Sequence, residues 1–121
     1  MKKKVLGLVG NLEIDLQEKD DIMLLDLSGQ IDSFTSEEIK KLIEAHMAKG
    51  HFKVIVDLNN VTYLDSAGLS TLINFKMKLF KQGGNLRLVG LKGKAKEVFE
   101  LAHLLDMFEI CDTREKAFED F

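Results

Sequence analysis

The chain has 121 residues, 45% of them hydrophobic and 31% charged, with a formal net charge of -3. This length predicts one domain with a sizeable core, and the apolar content excludes a disordered chain. The acidic balance argues against direct binding of nucleic acid, which usually requires a dense basic face. The single cysteine, Cys111, excludes an internal disulfide and is interpreted as a small buried hydrophobic residue.

The N-terminal segment imitates the start of a signal peptide, because lysines at positions 2–4 precede a short apolar stretch. That stretch is shorter than the roughly 7–15 residues of a signal peptide's apolar region. No run in the chain approaches the roughly 18 apolar residues of a membrane helix. We therefore expect a cytoplasmic protein with no membrane partner. Residues 1–10 are predicted to form an arm or an extra strand, and residues 11–121 the domain.

The first elements of the domain are predicted to be a hairpin and a helix. Apolar and polar residues alternate over residues 12–17, and a second strand is predicted over residues 22–27 after a turn at Asp20 and Asp21. A helical stripe then runs from Ile39 to Met47, with a capping box at Thr35 and Glu38 and a stop at Gly50. His46 lies on this stripe and is interpreted as a core-edge histidine.

Strands and helices alternate in the rest of the chain. The β-branched run at residues 54–56 has no polar alternation, which predicts a strand covered on both faces. The later elements are a helix at 66–81, a strand at 86–89, a helix at 95–105, a strand at 108–111 and a final amphipathic turn at 113–121. The order β-β-α-β-α-β-α-β-α predicts a small α/β domain with a mixed, mostly parallel sheet and helical cover.

Parallel topology predicts where a functional site lies. Loops that leave parallel strands emerge at the same end of the sheet, where α/β proteins usually place their sites. Three predicted loops qualify, at residues 28–33, 59–66 and 90–94. They bring five polar residues to one rim: Asp32, Asp65, Ser66, Lys92 and Lys94.

Ser66 is the most informative of these residues, because it follows Asp65 and opens a predicted helix. A helix N-terminus accepts phosphate readily, so a phosphorylated serine is tolerated there. The alternative is that Asp65 or Ser66 only caps the helix. A hydrolase nucleophile is not supported, since Leu64 occupies the first glycine position of the Gly-x-Ser-x-Gly pattern and no histidine is placed as a base.

Lys92 and Lys94 are candidate anion ligands, although the sequence around them lacks the phosphate-binding loop pattern. The alternative is that both are solvated lysines near a helix start. Ligation of a metal by Asp32, Asp57 and Asp65 is weaker still, because acidic residues at strand ends usually cap helices and turns. We predict no metal and no cofactor.

Residues 57–69 read DLNNVTYLDSAGL, and this string resembles the signature of the STAS domain found in bacterial anti-sigma factor antagonists. Residues 27–32, LSGQID, resemble that family's Gly-x-hydrophobic-Asp turn after the second strand. Gly83 and Gly84, which precede a predicted strand, also match the pattern of that family. The resemblance covers about residues 11–121.

The resemblance implies a regulator that switches partners and is not an enzyme. In such a protein the unphosphorylated form binds an anti-sigma factor that is itself a serine kinase. This binding releases the sigma factor. Phosphorylation of the serine that corresponds to Ser66 ends this binding, and a serine phosphatase resets it. A second serine, common in relatives, is Ala67 here. The implied partner-binding residues are Asp32, Asp65, Ser66, Gly68 and Leu69.

Two other functions remain open from the sequence. A STAS module can bind a nucleotide or a small anion, or serve a transporter or a signalling scaffold, and Lys92 and Lys94 are the support for this alternative. A small α/β enzyme is the third possibility, but it lacks a plausible pair of base and nucleophile.

Overall fold

The computed structural model describes residues 2–121, with side chains from residue 7 onward. It contains these strands and helices: β1 (Lys2–Val9), β2 (Leu12–Lys19), β3 (Ile22–Ile31), α1 (Thr35–Ala48), β4 (Lys53–Leu64), α2 (Ser66–Lys81), β5 (Asn85–Val89), α3 (Gly93–Leu101), β6 (Glu109–Cys111) and α4 (Arg114–Phe118). A short 3-10 helix at Leu105–Met107 precedes β6. Among residues 2–121, no helix is long and apolar enough to cross a bilayer.

The strands form one six-stranded sheet in the order β1-β2-β3-β4-β5-β6. The first three strands are antiparallel neighbours, and β3, β4, β5 and β6 run parallel to one another. The predicted α/β class with a mixed, mostly parallel sheet is confirmed. Strand β1 lies in the segment predicted as an arm or an extra strand, and it pairs along β2 at the sheet edge.

Helices cover both faces of the sheet unequally. On one face α1, α2 and α3 bury the main core, in which Ile43, Leu72 and Phe99 pack with Val54 and Val56. On the other face Ala117 of α4 packs with Ile55 in a smaller cluster. The run at residues 54–56 is therefore covered on both sides, as its lack of polar alternation predicted.

The largest errors in the predicted boundaries are at the ends of β3, β4 and α3. Strands β3 and β4 continue to Ile31 and Leu64, because Ser28–Ile31 pairs with Asn60–Leu64 beyond the end of β5. Helix α3 ends at Leu101 instead of residue 105, and the amide of Leu104 bonds back to the carbonyl of Phe99. The predicted loops at 28–33 and 59–66 are consequently much shorter.

The predicted capping box of α1 does not form. The Thr35 hydroxyl instead lies 2.9 Å from the Gln30 carbonyl and accepts the Asp32 amide at 2.9 Å. Thr35 itself is the first residue of α1, where its buried side chain faces the preceding strand. The cap comes from Asp32, which lies three residues earlier.

His46 is buried near the end of α1, which confirms its interpretation as a core-edge residue. Its Nε2 lies 3.1 Å from the carbonyl oxygens of Asp21 and Lys53, so an Nε2–H joins the starts of β3 and β4 to the helix. Within residues 7–121 its Nδ1 is buried without a hydrogen-bond partner. Burial lowers the pKa of His46, because a proton on Nδ1 creates a charge away from water.

This histidine predicts a pH dependence of stability. Folding lowers the pKa of His46 below the ordinary value of 6.5, so the unfolded chain binds more protons than the folded chain at acidic pH. The free energy of unfolding should be fully retained above about pH 6.5 and should decrease as the pH falls below it. Thermal melts of wild type and His46→Gln across this range test it. The matched control is His103→Asn, since His103 is exposed; equal slopes for wild type and His46→Gln would contradict the prediction.

Candidate functional site

Two neighbouring parallel strands end together and create the candidate site. Ile31, the last residue of β3, is the register partner of Leu64, the last residue of β4. The Asp65 amide donates to the Ile31 carbonyl at 3.2 Å, which ties the two strand ends to each other. Asp32 and Asp65 each follow a strand end, so the structure brings them side by side.

Asp32 organises the turn into α1. Its Oδ1 accepts the amides of Phe34 at 3.0 Å and Thr35 at 2.9 Å. The hydrogen bond from the Thr35 backbone is the main cause of the lowered pKa of Asp32, because it favours the carboxylate. Asp32 thus has a structural role at the helix start, whatever it does toward a partner.

Asp65 caps α2, and Ser66 is the first residue of that helix. The Asp65 side chain accepts the Gly68 amide at 2.9 Å, and the Asp65 carbonyl accepts the Leu69 amide at 2.9 Å. The amides of Ser66 and Ala67 come before the first intrahelical hydrogen bond, so they are oriented toward an outside acceptor. The Ser66 side chain is exposed. An added phosphoryl group therefore meets solvent and the positive end of the α2 dipole.

Gly68 and Leu69 lie behind this surface. Gly68 is buried, and a Cβ at this position would lie 2.7 Å from Ile31 Cγ2 and 2.8 Å from both the Ile31 carbonyl oxygen and Leu64 Cδ1. Leu69 is 8% exposed and belongs to the main core. In this structure both residues hold α2 against the strand ends, and Ser66 and Asp65 are left at the surface.

Two exposed aromatic residues flank the site, and the sequence analysis missed both. Phe34 is 65% exposed and Tyr63 is 45% exposed. The Phe34 ring covers the turn between β1 and β2, since a Cβ on Gly10 would lie 2.9 Å from its Cδ2. The available signal was an aromatic residue in the polar segment between Asp32 and the start of a helix. Exposed aromatic side chains beside a polar site are typical of protein-binding surfaces.

The remaining candidates lie further back along the sheet, because Val89, the last residue of β5, pairs with Asp57, seven residues before the end of β4 at Leu64. Lys92 and Lys94 are exposed at the start of α3, and no hydrogen bond or ion pair among residues 7–121 links them to Asp32, Asp65 or Ser66. Buried Asp57 pairs with Arg114, whose Nε lies 2.6 Å from Asp57 Oδ2. The three carboxylates considered as metal ligands therefore have three separate structural tasks.

Cys111 is half-buried in the smaller cluster, so the expectation of a buried residue holds only in part. Burial is the main cause of the raised pKa of its thiol. A thiol with a raised pKa is a poor nucleophile near neutral pH.

A family model described as the STAS domain matches residues 13–117. The chain belongs to the STAS domain family. It is 31% identical over 101 residues to the anti-sigma-B factor antagonist of Listeria monocytogenes, covering 83% of this chain and 89% of that protein.

Solved structures agree with this assignment. A crystal structure of an anti-sigma factor antagonist from Mycobacterium paratuberculosis is similar with a TM-score of 0.77 and 25% identity, covering 93% of this chain and 95% of that one. The anti-sigma factor antagonist SpoIIAA in its unphosphorylated form shares the fold, with a TM-score of 0.77, 19% identity and coverage of 88% and 93%.

The close packing around Gly68 yields a prediction. In an open helix, Gly→Ala adds up to about 1 kcal/mol of stability. Gly68→Ala should instead lower the free energy of unfolding by about 1–2 kcal/mol, because the methyl group must displace Ile31 and Leu64. Chemical denaturation measures this change. Ser70→Ala, at an exposed position of the same helix, is the control and should be neutral or slightly stabilising; a stabilised Gly68→Ala would show that the contact is loose.

Proposed function

We propose that the protein is an anti-sigma factor antagonist controlled by phosphorylation of Ser66. The unphosphorylated form binds an anti-sigma factor that is a serine kinase and thereby frees a sigma factor. Phosphorylation by that kinase ends the binding, and a serine phosphatase restores it. The proposal places the protein in the cytoplasm as a regulator of transcription that does not itself contact nucleic acid.

The observation that carries the proposal is the position of Ser66. Its hydroxyl is exposed at the first residue of α2, beside the capping carboxylate of Asp65 and the neighbouring turn of Asp32. Ala67 removes the adjacent hydroxyl, so Ser66 is the acceptor in this segment. The similar proteins are named anti-sigma factor antagonists. These names support a regulatory binding role over an enzymatic one.

The physical basis of the switch is charge. A phosphoserine adds about -1.5 to -2 charge at neutral pH. At the surface this charge is offset by the α2 dipole and by water, so the fold tolerates it. At an interface matched to a neutral hydroxyl, the same charge must lose its water beside Asp65, which weakens binding strongly. A loss of about 1.4 kcal/mol is tenfold in affinity, so one phosphate is sufficient.

The proposed partner surface joins this polar site to its aromatic neighbours. Phe34 lies two residues after Asp32 and Tyr63 lies two residues before Asp65, and both side chains expose apolar area. Their position beside two carboxylates favours a partner surface with apolar pockets and hydrogen-bond donors or cations. Phosphorylation changes the charge at the polar centre of such an interface and leaves the aromatic side chains themselves unchanged.

Phosphorylation at Ser66 is tested directly with the cognate kinase and ATP. Mass spectrometry should find the phosphate on Ser66, and Ser66→Ala should take up none. Ser70→Ala is the matched control, because Ser70 is an exposed serine on the same helix. Phosphate that persists in Ser66→Ala would overturn the assignment.

The phosphorylated protein should bind the anti-sigma factor at least about tenfold more weakly and melt close to the unmodified protein. Titration calorimetry and thermal melts of both forms measure the two effects. Amide NMR shifts should be confined to residues near Ser66 and Asp32. Widespread shifts through β4 and β5 would show a refolding mechanism instead.

Variants of Asp32 distinguish the role of its negative charge from its role in capping the helix start. Asp32→Asn keeps an oxygen that can accept the Phe34 and Thr35 amides, so most of the stability should remain. Asp32→Ala loses the cap and should cost about 1 kcal/mol of stability. If the carboxylate contacts the partner, Asp32→Asn alone should weaken anti-sigma factor binding severalfold. Normal binding by Asp32→Asn would assign Asp32 to the turn only.

A further inference from the structure

A second surface lies at the opposite end of α2 from Ser66. It is a groove of about 370 Å³ lined by Lys76, Met77, Phe80, Lys81 and Met107, which we call the α2 groove. Phe80 is 65% exposed and Met77 is 50% exposed. Phe80 lies fourteen residues after Ser66, about 21 Å along the helix axis at 1.5 Å per residue. The groove is therefore separate from the candidate phosphorylation site.

The charge around the α2 groove contrasts with the rest of the chain. The net charge of the protein is -3, yet helix α2 carries lysines at positions 76, 78 and 81 and no acidic residue. The residues that line the groove include two of these lysines and no carboxylate. Lysines at a helix C-terminus complement the helix dipole, but that accounts for the charge and not for the exposed apolar side chains between them.

One of the lysines is held in position. Lys76 Nζ donates to Asn85 Oδ1, and Asn85 Nδ2 in turn donates to Glu109 Oε1 at 2.8 Å. The same ammonium lies 5.0 Å from the centre of the Phe80 ring. The cation and the aromatic ring are thus arranged before any partner arrives, which lowers the entropy cost of binding.

The apolar part of the groove can adapt to a ligand. Met77 and Met107 have flexible, polarisable side chains, which fill irregular spaces and suit surfaces that accept helical ligands. Apolar grooves with a charged border bind amphipathic helices through side chains at positions i, i+4 and i+7. A border of lysines selects a helix whose flanking residues are carboxylates.

We propose that the α2 groove is a docking site for an acidic amphipathic helix of a partner protein. The apolar face of that helix enters between Met77, Phe80 and Met107, and its carboxylates face Lys76 and Lys81. The site operates independently of the phosphorylation state of Ser66. It allows the protein to hold a second partner while the Ser66 surface is free or occupied.

The test uses a designed helical peptide of about four turns, with leucine and phenylalanine on one face and glutamate beside them. A second peptide has lysine in place of every glutamate. Fluorescence anisotropy with the unphosphorylated protein should show binding of the acidic peptide at least about tenfold tighter than binding of the basic one. NMR of the methionine methyl groups should show shifts at Met77 and Met107 and not at buried Met23.

Variants locate the contact. Phe80→Gln and Lys81→Glu should each weaken binding of the acidic peptide about tenfold, and thermal melts should stay near wild type because both side chains are exposed. The matched controls are Leu101→Gln, an 82% exposed leucine outside the groove, and Lys94→Glu, an exposed lysine on α3. Neither control should change the affinity. The Ser66→Asp variant should bind the peptide as wild type does.

Three results would overturn the proposal. Equal affinity for both peptides would remove the role of charge, and methyl shifts away from the groove would place the ligand elsewhere. Sedimentation experiments could also show dimers that form with rising concentration. If Phe80→Gln abolished those dimers, the groove would be assigned to a second copy of this chain. None of these measurements uses a kinase or an anti-sigma factor, so their outcome is separate from that of the Ser66 experiments.

Discussion

The pairing of β3 with β4 beyond the end of β5 is the constraint on which the candidate site depends. The register places Ile31 beside Leu64, and the Asp65 amide bonds the Ile31 carbonyl at 3.2 Å. Helix α2 then starts directly at the strand end and packs so closely that Gly68 has no room for a side chain. A slip of one residue would turn every side chain of β3 to the other face of the sheet. The same register therefore sets both the core and the position of Ser66.

A rigid support of this kind suits a switch that acts by charge. The backbone amides at the start of α2 fall into two groups. The amides of Gly68 and Leu69 donate to Asp65, whereas the amides of Ser66 and Ala67 precede the first intrahelical hydrogen bond. A phosphate on Ser66 then gains from the helix dipole about as much, 0.3–1 kcal/mol, as repulsion from Asp65 removes. Neither effect approaches the energy of the packed core beneath. The larger change falls on a partner that must bury the new charge.

The elements with strong periodicity could be predicted from the sequence, and the polar strand ends could not. Helix α2 begins at Ser66 and ends at Lys81, as its apolar spacing and the two following glycines indicated. Residues 28–31 belong to the predicted loop at 28–33, yet their backbone pairs with β4. Backbone pairing of this kind depends on tertiary position and not on side-chain pattern. The exposure of Phe34 and Tyr63 depends on which side chains lie nearby in the fold, so it became visible only in the structure.

Helix α2 connects two surfaces of opposite character. Its N-terminus carries Asp65 and the exposed Ser66, and its C-terminal half carries three lysines around exposed Met77 and Phe80. The charge order follows the helix dipole, so each end is stabilised by its own side chains. At physiological salt, charges interact over about 8 Å, whereas Lys76, the groove lysine nearest to Ser66, lies ten residues further on, about 15 Å along the helix axis. A phosphate at Ser66 thus has little direct electrostatic effect on the α2 groove. Any coupling between the two surfaces would have to pass through movement of α2 itself, which the close packing of Gly68 against Ile31 opposes.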